Sequence, residues 1–485
     1  MARPQWLRLM AAGWSRVGRH DSLRRFLPAA LFTCVVALYN RFPLTYPDAG
    51  NYLDNAYAIA HGQRPWFFFR PLAYGAFLVP FARPHLLWLV PVLQGYLVAW
   101  VADLALRTAA VSLRTRAFLG LFAGLSVCTS LSWVSGQLMP DVFTSIVVLL
   151  SFVMLWGSER LGRHERWLAT GLLGFAIATH LSHLPLYALL LAAGLLMRGP
   201  MIGVAGARRQ LLPLTLGAAV PLLLALGLVV APNYWLYGEP VLSRSSALFS
   251  LARLVGDGSA QRYLDRACPV RHYVLCAERT SLRPDVDWFL WDAAGPRARY
   301  EPAMQRGDST FLREAPDIVS GTLRQEWPSV VRASLRNSAI QLLTFGLYPG
   351  ELSFSPTVEN ATKRLGPTTL QAYRRSGQVR ATLPLTASNL VQYTAVGLSV
   401  LLLLGCLPAL RGPTHGPLRA LITTVGAGVV LHAMVVATLA AVHPRYQSRV
   451  VWLLPLLAAV AAQQVAETRA RRRSPVSGCQ RPAPQ

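Results

Sequence analysis

The residues able to do chemistry fall in five short stretches. NRFPLTYPDAGNYLDNAYAIAHG (40–62) carries Asp48 and Asp54, and RPWFFFRPLAYGAFLVPFARP (64–84) carries Arg70 ahead of Pro71. GQLMPDVF holds Asp141, ATHLSHLPL holds His180 and His183, and VHPRYQSR holds His443, Arg445, Tyr446 and Arg449. A carboxylate shielded from water suits a general base. Arginine stays charged and offers a planar fork to phosphate oxygens. Two histidines at i, i+3 share a helix face and could ligate a metal, although no third ligand is in sight. Each group also has a plainer use. Asp48 and Asp141 both follow a proline at the start of a helix, where either could cap free amides. Arg70 and Arg445 could be snorkelling interface residues.

The elements that must position these groups are membrane helices. The chain has 485 residues, 53% hydrophobic and 14% charged, and its apolar residues fall in about ten blocks of bilayer-crossing length. They lie near 26–42, 84–106, 116–133, 140–157, 167–180, 181–197, 211–231, 386–409, 418–441 and 449–465. The fold class expected is an all-α polytopic membrane protein. The formal charge of +25 comes from 47 basic residues, of which Lys363 is the only lysine. That looks like the codon bias of a GC-rich genome, and no basic run interleaved with aromatics points to a nucleic-acid partner. The basic N-terminal arm lacks a small-residue cleavage site at signal-peptide distance, so 26–42 reads as a retained first helix.

Arginines sort to one side of this layout: the N-terminal arm, Arg107/Arg114/Arg116, Arg160/Arg163/Arg166, Arg198/Arg208/Arg209, Arg411/Arg419 and the tail from Arg469 to Arg473. Positive charge is retained in cytoplasmic loops, so both termini are expected in the cytoplasm and the intervening loops outside. Four divisions follow: a membrane module (1–231), an extracytoplasmic and mostly helical domain (232–385), C-terminal membrane helices (386–465) and a basic tail (466–485). Cys268 and Cys276 both fall in the external domain, which suggests a local disulfide.

After Pro47 the spacing of Tyr52, Leu53, Ala56, Tyr57 and Ala60 predicts a short helix along the outer membrane surface, ending at Gly62. Asp48 opens it; Asp54 lies ~120° around it and faces water or headgroups. Arg70 and Pro71 start a helix of about ten residues that half enters the bilayer. The layout brings Asp48, Arg70, Asp141, His180, His183, Arg445 and Tyr446 to one membrane face.

The order of parts resembles the GT-C superfamily of integral-membrane glycosyltransferases, which includes the protein O-mannosyltransferases and bacterial aminoarabinose transferases. A first span is followed by YPDAGNYLDNAYAIAHG, then RPLAYGAFLVPFA, then a second span from His85. The resemblance implies a catalytic aspartate at Asp48 and a polyprenyl-phosphate sugar as donor. Arg70, Arg445 and Tyr446 would bind the donor phosphate, with Asp141, His180 and His183 in support. It also implies a bacterial inner-membrane location and membrane lipid as partner. No cofactor is required, with a divalent metal left open. The rival readings are a proton-coupled transporter or lipid-linked sugar flippase, and a non-catalytic envelope assembly factor. Against the transporter, the acidic residues sit at span ends and no internal repeat is evident.

Overall fold

The computed structural model describes residues 19–66, 69–157, 161–202, 204–306 and 309–473. Residues 1–18 of the N-terminal arm, Arg160 and the tail beyond Arg473 lie outside the described residues. The described chain is helical, with one isolated bridge between Leu44 and Gln137 and no strand otherwise. Among the described residues five helices are long and apolar enough to cross a bilayer: Leu86–Thr108, Gly217–Tyr237, Leu385–Leu410, Gly416–Leu439 and Pro444–Ala470. Shorter apolar helices cover Leu72–Phe81, Thr115–Cys128, Val142–Trp156 and His183–Arg198. The first apolar block is broken: Arg19–Thr33 and Val35–Asn40 meet at a kink around Cys34.

Val142–Trp156 is the hub of the bundle. It is buried along all its faces except at its last residue, as expected of a helix apolar all round. It packs against Leu89–Thr108, Arg163–Ala178, His183–Ile202 and Gly416–Leu439. By contrast the most apolar windows of Gly217–Tyr237 and Leu385–Leu410 are only 22% buried, which makes these two helices peripheral. Glycine permits close approach inside the bundle: a Cβ on Gly95 would sit 2.1 Å from Thr33 Oγ1.

The helix Pro47–Ala60 forms because Pro47 occupies its first position with Tyr46 extended before it, and the chain leaves it at Gly62 with a positive φ of 65°. Its anchoring is long-range. Helix Pro356–Arg364 packs along it, and Thr357 Oγ1 donates to Pro47 O at 2.9 Å. Gln378 exchanges two hydrogen bonds with the Thr45 backbone, at 3.0 and 3.1 Å. The turn that presents Asp48 is therefore fixed by residues more than 300 positions away.

The region 232–385 contributes to two cores. Leu248, Leu251, Leu264, Phe289, Phe311 and Ile318 close a small helical module of their own, which also holds the Cys268–Cys276 disulfide. Leu347, Leu352, Val358, Ala361 and Tyr373 instead belong to the main bundle core.

Candidate active site

Asp48 sits in the first turn of its helix without capping it: no side-chain cap bond is made there. Its carboxylate turns to Arg70, whose Nη2 donates to both oxygens at 2.9 and 3.0 Å. Arg445 Nη2 stands 3.7 Å from the same carboxylate. Burial pushes the Asp48 carboxyl upward, but Arg70 and Arg445 together outweigh it and hold the group below the usual carboxylate range.

Arg445 comes from the far end of the sequence. His443 caps the helix that begins at Pro444, its ring accepting from the Arg445 amide at 3.4 Å. This helix presents Arg445 and Arg449 one turn apart, on one face. Both reach Asp141: Arg445 Nε and Arg449 Nη2 each lie 2.8 Å from its oxygens, and Gln137 Nε2 donates at 3.1 Å. Asp141 holds the cap position of Val142–Trp156 but makes no cap bond. The simple capping role open to Asp48 and Asp141, and the interface-anchor role open to Arg445, are replaced by one connected charge cluster. A third carboxylate, Glu351, lies 3.8 Å from Arg445 Nη1 and 3.6 Å from His443. Burial raises its pKa and lowers that of His443 to about 4, with Arg445 also opposing the imidazolium.

Arg449 is the member that stands apart. Its side chain is 1% exposed, and its Nε and Nη1 have no hydrogen-bond partner. Buried donors are nearly always paired, so two open N–H groups on one guanidinium call for an acceptor. Arg449 also lines a cavity of about 260 Å³, together with Asp48, Arg70, His180, Arg445 and Tyr446. Phe249, Leu290 and Trp291 from the small helical module line the same cavity, with Asp287 among them. Burial raises the Asp287 pKa.

The two histidines separate. His180 lines the cavity, whereas His183 has both ring nitrogens engaged, with Thr144 Oγ1 at 2.8 Å and the Ala176 carbonyl at 2.7 Å. The i, i+3 pair thus does not present two free nitrogens to a metal, and among the described residues no group of three or more His, Cys, Asp or Glu is placed to hold one. Asp54 stays outside the cluster, 3.6 Å from Arg364. Arg449 belongs in the site although sequence reading placed it only at the helix mouth; its position four residues after Arg445 is the signal that finds it. Glu351 and the cavity wall carry no such signal.

A buried carboxylate alone does not mark a site. Asp103 is 2% exposed and satisfied by Arg25 at 2.7 Å and Arg107 at 2.9 Å. Asp48 differs in lining a cavity that three guanidiniums also line. Comparison of the chain with protein-family models, with curated proteins and with solved structures finds no match in any of the three.

Proposed function

We propose that the protein is a glycosyltransferase that moves a sugar from a polyprenyl-phosphate donor to an acceptor hydroxyl at the membrane face where the cavity opens. One observation carries this reading: a carboxylate, Asp48, lines one cavity with three guanidiniums, Arg70, Arg445 and Arg449, and with the apolar side chains of Phe249, Leu290 and Trp291. A lipid-linked sugar phosphate offers the matching parts, an anion for the guanidiniums and an apolar chain for the aromatic lining and the bilayer.

In this reading Arg449 and Arg445 receive the donor phosphate, with Arg70 and Tyr446 at its edge. Asp48 takes the proton of the acceptor hydroxyl, whose oxygen attacks the sugar C1. The bond from C1 to the phosphate oxygen breaks, and its electron pair leaves with the polyprenyl phosphate. Fixed guanidiniums stabilise the charge gathering there. The lowered pKa of Asp48 makes it a weak base at rest. A phosphate that draws Arg445 and Arg70 toward itself removes part of that stabilisation and strengthens the base when the donor is in place.

The same reading takes the shorter apolar helices as spans too, about ten in all in a GT-C-like arrangement. Both termini then lie in the cytoplasm and the cavity opens outside a bacterial inner membrane. The test is transfer by purified protein from a panel of polyprenyl-phosphate sugars, with Asp48→Asn as the comparison. Donor turnover by the parent and its loss in the variant support the reading; an inert parent across the panel removes it.

A further inference from the structure

The helix Trp327–Leu343 reads by sequence as part of the water-facing region, yet much of its free surface is apolar. Trp327, Val331 and Leu335 follow one another at intervals of four, forming one ridge, and are 61, 48 and 61% exposed. Ile340 and Leu343 extend that surface to the helix end. Asn337 and Gln341 point the other way and are buried, whereas Arg332 and Arg336 share the exposed side. Asn337 Nδ2 donates to Asp257 Oδ1 at 3.0 Å, and Gln341 exchanges hydrogen bonds with the His443 backbone at 2.8 and 2.9 Å. This is the reverse of a helix half-buried on a water-soluble core, which turns its apolar stripe inward.

Its surroundings set its depth. The helix packs along the span Gly416–Leu439. Just beyond its end, Phe345 is buried against Val396 and Val451, which belong to the spans Leu385–Leu410 and Pro444–Ala470. Phe345 also stacks on Tyr393, at 4.1 Å between ring centroids. Tyr393 and, on the neighbouring span, Met434 are themselves exposed apolar groups, so the ridge continues the lipid-facing surface of the helices that flank it.

We infer that Trp327–Leu343 is seated in the bilayer, in the leaflet on the side where the cavity opens, with its apolar ridge covered by acyl chains. Arg332 and Arg336, both exposed, have stems long enough to carry their charges to the headgroups. The chain then turns back through Gly346, whose amide donates to Ser448 Oγ at 2.8 Å, and returns Glu351 to Arg445 and His443. One short connection thus joins a lipid-seated helix to the charge cluster. The inference stands on the fold and is independent of any glycosyl transfer.

Leu335 and Leu343 are exposed, so cysteine at either position removes no core packing. In a background with Cys34, Cys128, Cys406 and Cys479 replaced by alanine and the disulfide kept, Leu335→Cys and Leu343→Cys carry a fluorescent thiol label in phosphatidylcholine vesicles. Labels at both positions should lose emission when brominated acyl chains are present and keep it against aqueous iodide. Leu398→Cys, on the exposed side of Leu385–Leu410, gives the lipid reference, and Ser281→Cys the water reference. Quenching by iodide at 335 and 343 overturns the inference. So does protection from both quenchers together with 335-to-335 cross-linking between copies, which would place a second chain on the ridge.

Discussion

Asp48 and Arg70 meet through a single guanidinium nitrogen that donates to both carboxylate oxygens, at 2.9 and 3.0 Å. Asp48 belongs to the helix Pro47–Ala60, and Arg70 to the turn just ahead of the helix Leu72–Leu78. The other terminal nitrogen of Arg70, Nη1, donates to the Phe69 carbonyl at 3.4 Å, while Asp48 keeps Arg445 as a second neighbour. Under the proposed chemistry, Arg70→Lys keeps the charge and loses the fork. It should lower transfer less than Arg70→Ala does, read as kcat/KM for the lipid-linked donor.

Asp141 answers two arginines at once. Asp141→Asn leaves Arg445 and Arg449 short of a buried counter-charge and should cost about 3–5 kcal/mol. A fall in Tm well beyond that of Asp54→Asn, whose partner Arg364 is half exposed, is the expected result in detergent-solubilised protein.

The two open donors of Arg449 predict anion binding. Inorganic pyrophosphate should raise the Tm of the parent and have less effect on Arg449→Gln, with the Asp141 pair to Arg445 still intact. Equal shifts in both proteins would place the anion elsewhere.

Much of this arrangement is legible in the sequence. Pro47 before Asp48, Arg70 before Pro71 and Pro444 before Arg445 each mark a helix start, and the apolar blocks put those starts near one another. What the sequence does not carry is which side chain answers which. The pairing of Asp141 with Arg445 crosses 304 positions and depends on how Val142–Trp156 and Pro444–Val451 pack. Hydropathy also blurred two elements: the kink at Cys34 divides an unbroken apolar block, and Trp327–Leu343 has too many polar residues to score as a span. Its Asn337 and Gln341 are satisfied within the protein, a fact only tertiary contacts reveal.

Gly50 sets the height of the Asp48 helix. A Cβ there would stand 2.6 Å from the carbonyl carbon of Thr357 and 2.7 Å from its oxygen, both backbone atoms that cannot turn aside. Gly50→Ala should cost about 1–3 kcal/mol and, by lifting the helix off Pro356–Arg364, lower transfer further than Gly62→Ala.

The depressed pKa of His443, about 4, ties stability to pH. Between the ordinary histidine range near 6.5 and about 4 the unfolded chain binds the proton and the folded one does not, so stability falls as pH drops through that window. His443→Asn can still cap the helix but cannot be protonated. Its Tm should fall less than the parent's between pH 6.5 and 4.

Closing the short Cys268–Cys276 loop should contribute on the order of 3 kcal/mol or less. Reduction under native conditions should lower the melting temperature while leaving Asp48, Arg70 and Arg445, which lie outside that loop, able to bind donor. Loss of binding on reduction alone would contradict this division.

The most direct measurement is release of free polyprenyl phosphate from a polyprenyl-phosphate sugar by the purified protein in lipid vesicles, compared with Asp48→Asn produced to the same level. Asn keeps the volume and much of the capping ability of Asp, so the variant isolates the base. The account predicts release by the parent and a loss of roughly 100-fold to 10,000-fold in the variant. Near-normal release by Asp48→Asn, or none by the parent with any donor, would contradict it.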